Sequence, residues 1–243
     1  MLYSKIISIK KVGLVLSGGG VKGAYEAGVL NILAEHKLIE RVDIISGSSI
    51  GALNAIYLAE QLKQKKSFFD ATNNLVNLWL KLDQKKVMKV DIWGIISKLI
   101  YKAQSVFSTD PIVKILKEND IPETRKIRDY LTEKIELLIT RTNLNRAIAE
   151  VFDPEESVYE AMLISAAFPG AFPSRQSADG DWCTDGGVLD NTPIKPVIRA
   201  GAEKIWVLYL AQEQRLVELN KEYKNAKDVL ARVIDLIHSL LIF

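Results

Sequence analysis

The chain is poor in the residues that the commonest alternative chemistries require. Cys183 is its only cysteine among 243 residues, which excludes an intramolecular disulfide and argues against a structural zinc cluster. His36 and His238 are its only histidines, a thin supply for metal sites or imidazole catalysis, and neither a metal nor a cofactor is expected. Lysine plus arginine number 32 against 30 for aspartate plus glutamate. That balance lacks the basic stripe of a nucleic-acid binder, so nucleic acid is not an expected partner. No stretch approaches the ~18 uncharged apolar residues of a membrane-spanning helix. In the segment from Met1 to Val12, Lys5, Lys10 and Lys11 interrupt the apolar residues and no small-residue cleavage site follows, so no secretory signal is expected. Together these absences predict a cytoplasmic protein, at most peripheral at a membrane.

What is present is ordinary for a folded α/β domain: 48% hydrophobic and 26% charged residues. The length suits one substantial core, and we expect a single domain over residues 1–243 carrying an insertion. Val12 to Ser17 reads as a short buried strand that runs into Gly18-Gly19-Gly20-Val21-Lys22-Gly23. A helix over about Ala24 to His36 follows, then a second strand at Val42 to Ile45 and a helix over Ile50 to Gln64. Strand, glycine turn, helix, strand, turn, helix is the grammar of a parallel α/β sheet, whose functional loops gather at the carboxyl ends of the strands. Both turns should therefore face one another.

From about residue 67 to 128 the chain changes to lysine-rich, helix-like text, with segments at Phe68 to Leu80, Val90 to Tyr101 and Pro111 to Glu118. We read it as a helical insertion over one side of the sheet. Strands resume at Ile135 to Thr140, Ala147 to Phe152 and Ile205 to Leu210, and an amphipathic helix is expected at about 226–241. The architecture expected is three layers, α/β/α, around a mostly parallel sheet.

The second turn, Gly47-Ser48-Ser49-Ile50-Gly51, is a G-x-S-x-G between strand and helix. Such a turn presents its serine at a tip, here Ser49, with glycines to either side allowing the backbones to pack closely. Ser48 fits less well, since its own frame would require glycine where Ser46 stands. A plain turn is the bland alternative. An acyl-transferring serine also needs amide donors for the oxyanion and a base for its proton. The run Gly18, Gly19, Gly20 and Val21 offers unobstructed N–H groups, or else a simple turn or a phosphate cradle. The histidines are badly placed for the base: His36 ends a helix ~20 Å from the loop at 1.5 Å per residue, and His238 falls on a polar helix face. A carboxylate is expected instead. Asp185, in Thr184-Asp185-Gly186-Gly187 and followed by Asn191 and Pro193, is the best candidate, unshielded by its two glycines and set in a loop suited to stiffening by its own hydrogen bonds. Because an ordinary aspartate titrates near ~3.9, burial would have to raise it.

These three segments, in this order, resemble the patatin-like phospholipase family. Gly18 to Gly23 is similar to its G-G-G-x-[RK]-G loop, Gly47 to Gly51 to its nucleophile elbow, and Asp185-Gly186-Gly187 to its D-G-G motif, while Ser165 to Pro173 resembles the small-residue stretch before it. The resemblance implies a patatin-like fold and a Ser49–Asp185 dyad that cleaves lipid acyl esters of phospholipids or lysophospholipids through an acyl-enzyme, without metal. It further implies that Lys22, Gly23, Gly47, Gly51, Gly186, Gly187 and Asn191 shape the site. Lys22 departs mildly from the more usual arginine, keeping the charge but not a bidentate contact.

Two other readings compete. The same glycines fit the dinucleotide pattern G-x-G-x-x-G with Asp43 about 20 residues on, although Asp43 opens its strand instead of closing it. A catalytically silent lipid-binding or signalling module on the same scaffold is the third class. For membrane contact, the apolar segment Val90 to Tyr101 is a candidate acyl wall, and Lys63, Lys65, Lys66, Lys85, Lys86 and Lys89 are candidate headgroup contacts. The plainer readings are favoured, since an apolar helix is more often core and scattered lysines more often a solvated face. The oligomeric state is not legible.

Overall fold

The computed structural model describes residues 10–84, 110–169 and 172–210. Four strands form its parallel centre: β1 (Val12–Leu16), β2 (Ile44–Gly47), β3 (Glu136–Asn143) and β7 (Lys204–Leu208). Spatially, β1 lies between β7 and β2, and β2 lies between β1 and β3. An antiparallel flank completes the sheet, in which β3 pairs with β4 (Ile148–Val151) and with β6 (Trp182–Asp185), and β6 pairs with β5 (Arg175–Gln176). The mostly parallel sheet that the sequence predicts forms as a mixed sheet, parallel at its centre and antiparallel at one flank.

Residues of β1 alternate between two apolar layers, as the period of a strand requires. Leu14 and Leu16 point into the larger core, together with Leu30 of α1 (Gly23–Glu35), Ile56 of α2 (Ile50–Lys63) and Leu75 of α3 (Phe68–Gln84). Val15 points the other way and meets Ile44 of β2 and Val197 of α6 (Ile194–Arg199). Helices therefore cover both faces. Two more helices, α4 (Asp110–Glu118) and α5 (Val158–Ser165), add Ile115, Met162 and Ile164 to the larger core. Within the expected insertion, α3 and α4 are the described helices, while the segment Val90 to Tyr101 lies outside the described residues, as does the expected helix at 226–241.

The second strand begins at Ile44, two residues later than its apolar run suggests, and extends through Ser46 to Gly47. Asp43 accounts for the shift. Its carboxylate accepts the Val12 N–H at 2.8 Å, and its carbonyl accepts the Glu136 N–H at 2.9 Å. Asp43 thereby ties the amino ends of β1 and β3 together, at the opposite end of the sheet from the glycine loop. That location removes it from any ribose-binding role.

Candidate active site

The glycine loop and the serine turn emerge side by side because β1 and β2 are parallel neighbours, with Leu16 opposite Gly47. At the end of β2 the chain reverses so tightly that a Cβ on Gly47 would stand 2.5 Å from the Gly51 carbonyl, and one on Gly51 would stand 2.2 Å from the Leu16 carbonyl. Both obstacles are backbone, so no side chain can yield. Ser49 at the tip has φ 53° and ψ −123°, a strained conformation for a residue with a Cβ and typically costing ~1–3 kcal/mol. Its N–H donates to Ser165 Oγ at 3.1 Å, which holds the turn to the end of α5. Ser48, by contrast, is wholly buried, and its hydroxyl has no partner.

Asp185 arrives from the other direction. It ends β6, which runs antiparallel to β3, and lies opposite Arg141, while Gly47 lies opposite Ile139 two residues earlier on the same strand. The carboxyl ends of β2 and β6 thus converge on one stretch of β3. Gly186 fits closely there, because an added Cβ would sit 2.5 Å from the Thr140 carbonyl. Asp185 is 1% exposed, and its Oδ1 accepts the Gly187 N–H at 2.7 Å. Its Oδ2 is buried without a hydrogen-bond partner. Burial pushes the Asp185 pKa up to about 7, against the smaller opposing pulls of the Ser49 hydroxyl and the Gly187 amide. The carboxyl that the sequence singled out is therefore beside Ser49 and tuned toward neutrality.

The glycine loop closes over this pair. Gly18 packs directly on Ser49, for a Cβ added to it would lie 3.1 Å from the Ser49 Cβ and 2.2 Å from Asn191 Oδ1. Gly20 has φ +57°, in the left-handed region, with open space where a side chain would point, so glycine is needed there for its backbone alone. A short helical turn at Gly20–Lys22 leads into α1. The Gly19, Gly20 and Val21 amides stand at the opening of that turn, where N–H groups have no intrahelical partner. Gly18 corrects the expectation of four donors, since its N–H is already taken by the Asn191 carbonyl at 3.0 Å.

Asn191 clamps Gly18 from both sides, its backbone carbonyl accepting the Gly18 N–H and its Nδ2 donating to the Gly18 carbonyl at 3.1 Å. A Cβ on Gly187 would come within 2.6 Å of Asn191 Oδ1, so the D-G-G segment and the glycine loop meet at this side chain. Next to it, the Ser17 and Thr192 hydroxyls are 3.0 Å apart. Lys22 donates to the Leu210 carbonyl at 3.1 Å, while Gly23 packs against Trp79.

Glu26 and Asn54, which the sequence did not single out, complete the arrangement together with Ser165, which it marked only as the start of a small-residue stretch. Glu26 is fully buried and linked by hydrogen bonds to Ser17 and Asn54. A lone acid sharing a helix face with Gly23 and Leu30 is the signal that would have found it. The exposed His36 follows the far end of α1, while His238 lies outside the described residues. Lys63, Lys65 and Lys66 cluster at the end of α2 opposite Ser49. Lys63 donates to the Asp129 carbonyl at 2.8 Å and Lys66 to Gln61 Oε1 at 2.7 Å. Lys85, Lys86 and Lys89 lie outside the described residues. No described helix is long and apolar enough to cross a membrane.

The family model described as patatin-like phospholipase matches residues 14–198, a span that begins in β1 and ends in α6 and so contains all three motifs. The chain belongs to the patatin-like phospholipase family. Among its relatives, a lysophospholipase NTE1 of Lodderomyces elongisporus is 27% identical over 209 residues, 84% of this chain and 13% of that protein. The patatin-like phospholipase domain-containing protein 7 of Rattus norvegicus is 27% identical over 206 residues, 83% of this chain and 14% of that protein. This patatin-like chain thus spans a small part of the length of these relatives. The crystal structure of VipD from Legionella pneumophila superposes with a TM-score of 0.45 at 20% identity, covering 76% of this chain and 47% of that one.

Proposed function

We propose that the chain is a lipid acyl hydrolase that cleaves phospholipid or lysophospholipid esters through an acyl-enzyme on Ser49, with Asp185 as general base. The observation that carries this reading is the pairing of a strained, tip-held serine with a buried carboxyl whose pKa lies at about 7. Membership in the family, and similarity to a lysophospholipase and to a patatin-like phospholipase domain-containing protein, support a lipid ester as substrate.

In the proposed reaction the Ser49 Oγ attacks the ester carbonyl carbon as its proton passes to the Asp185 carboxylate. A carboxyl poised near neutrality is ionised often enough to accept that proton and acidic enough to return it. The carbonyl oxygen becomes an oxyanion, met by the Gly19, Gly20 and Val21 amides, and a single such donor is typically worth ~2.7–4 kcal/mol of barrier. Collapse breaks the bond to the leaving alcohol, which takes the proton from Asp185. Water then repeats the sequence on the acyl-enzyme, with Asp185 taking a proton from the water and returning it to Ser49, so that fatty acid and free enzyme are released. The positive end of α2, which begins at Ile50, favours negative charge at the same point.

The test is a panel of phospholipids, lysophospholipids and neutral lipids with products identified by mass. Ser49→Ala and Asp185→Asn are each expected to lose at least ~100-fold in turnover, as removal of a nucleophile or base does, with circular dichroism unchanged. Normal turnover by either variant would refute the assigned roles. A native protein that binds these lipids and hydrolyses none would instead favour the silent lipid-binding module.

A further inference from the structure

Glu26 is a buried carboxyl that the proposed reaction does not use. It lies on α1 three residues beyond Gly23 and is fully shielded from solvent. Its Oε1 accepts the Ser17 N–H at 3.1 Å, and its Oε2 accepts Asn54 Nδ2 at 2.7 Å. Asn54 Nδ2 also donates to the Gly23 carbonyl at 3.1 Å, while its Oδ1 accepts the Trp79 indole N–H at 2.9 Å. An indole nitrogen only donates. The Asn54 oxygen must therefore face Trp79 and its NH2 must face Glu26, so both neighbours of the carboxyl present hydrogens to it.

The location of these contacts gives them a purpose. Ser17 immediately precedes Gly18 and Gly23 immediately follows Lys22, so both ends of the glycine loop are referred to one carboxyl. Asn54 belongs to α2, the helix that Ser49 opens, five residues further on. Burial raises the Glu26 pKa to about 8 while the two donated hydrogen bonds oppose the rise, and no charged side chain enters the balance. Such a group is retained at a cost to stability, which an apolar residue on the same face would avoid.

The geometry points to Glu26 as a positioning residue: through Ser17 and Asn54 it fixes the amides of the Gly18–Lys22 loop relative to Ser49, and so sets the oxyanion site. This inference rests on the proposed hydrolysis at Ser49. Since an oxyanion donor acts through its orientation, a loop that tilts loses transition-state stabilisation while substrate binding persists.

The experiment compares the full chain with Glu26→Met, Glu26→Gln and Asn54→Ala on p-nitrophenyl butyrate, with Ser49→Ala alongside. Methionine preserves much of the volume and removes both acceptors, whereas glutamine keeps one. Glu26→Met is expected to lose at least ~10-fold in kcat per active site, counted by fluorophosphonate titration, with KM within ~2-fold, the pattern of an interaction made only in the transition state. Glu26→Gln should fall between it and the native protein. If Glu26→Met does not fold, Asn54→Ala carries the test, with an expected loss of at least ~5-fold in kcat and the same KM. Native kcat per active site in the folded variants, or a loss confined to KM, overturns the positioning role. Retained hydrolysis by Ser49→Ala would overturn the proposed function itself, and the two failures are thereby distinguishable.

Discussion

Substituting Asp185 by asparagine should remove most of the activity, and the stability of the variant relative to the native protein should grow with pH. The carboxyl titrates at about 7 in the folded chain because it is buried, against 3.8 when unperturbed. A carboxyl whose folded pKa is raised favours the folded state most below its unfolded pKa, and that advantage is lost as pH rises toward the folded pKa. At about 1.4 kcal/mol per unit, the loss reaches ~1–2 kcal/mol at pH 5 and ~4 kcal/mol above pH 8. Asparagine does not ionise and incurs neither. Its Oδ1 can keep the Gly187 amide, but its NH2 replaces the partnerless Oδ2 and, left unpaired, gives back ~1–3 kcal/mol at every pH. The robust quantity is therefore the change between pH 5 and 8.5, about 3 kcal/mol in favour of the variant. At ~2–4 °C per kcal/mol for a chain of this size, the difference in melting temperature, variant minus native, should rise by ~6–12 °C across that range. A difference that stays constant with pH would show that Asp185 is not a buried carboxyl with a raised pKa, and the argument for it as a base near neutrality would fail with it.

Three further outcomes follow from the same geometry. The kcat/KM for a soluble ester should rise with pH through about 7 and level off above it, since only the ionised carboxyl accepts a proton; a profile flat from pH 5.5 to 8.5 would contradict this. Gly20→Ala meets no steric obstacle but imposes φ +57° on a residue with a Cβ, so thermal melting should report a loss of ~1–2 kcal/mol, together with reduced kcat as the neighbouring amides shift. Asn191→Ala removes the side-chain half of the clamp on Gly18 and should cost ~1–2 kcal/mol of stability with a several-fold fall in kcat; unchanged kcat would show that the loop holds its position without it.

The parts of this molecule that the sequence made legible are those with one strong local signal. The apolar run ahead of each turn marked β1 and β2, and the glycines of each turn marked the close approaches, of backbone at Gly47 and Gly51 and of the Ser49 and Asn191 side chains at Gly18. What was not legible lacks such periodicity. The strand β6 reads Trp-Cys-Thr-Asp, with no alternation of apolar and polar residues, because it pairs with the polar, buried end of β3 at Arg141, Thr142 and Asn143. The helix α5 is buried nearly all round and so presents no stripe to detect, and α6 is only six residues with a proline inside it. The hydrogen bonds of Ser165, Glu26 and Asn54 join residues far apart in the chain or on separate elements, and only the assembled sheet brings them together.

The most direct measurement is the site and rate of labelling by a fluorophosphonate ester, read by peptide mass spectrometry on the native protein, Ser49→Ala, Ser48→Ala and Asp185→Asn. The account predicts one adduct, on Ser49, absent from Ser49→Ala, retained in Ser48→Ala and formed at least ~10-fold more slowly in Asp185→Asn, as removal of a general base requires. An adduct on another residue, or labelling of Asp185→Asn at the native rate, would contradict it.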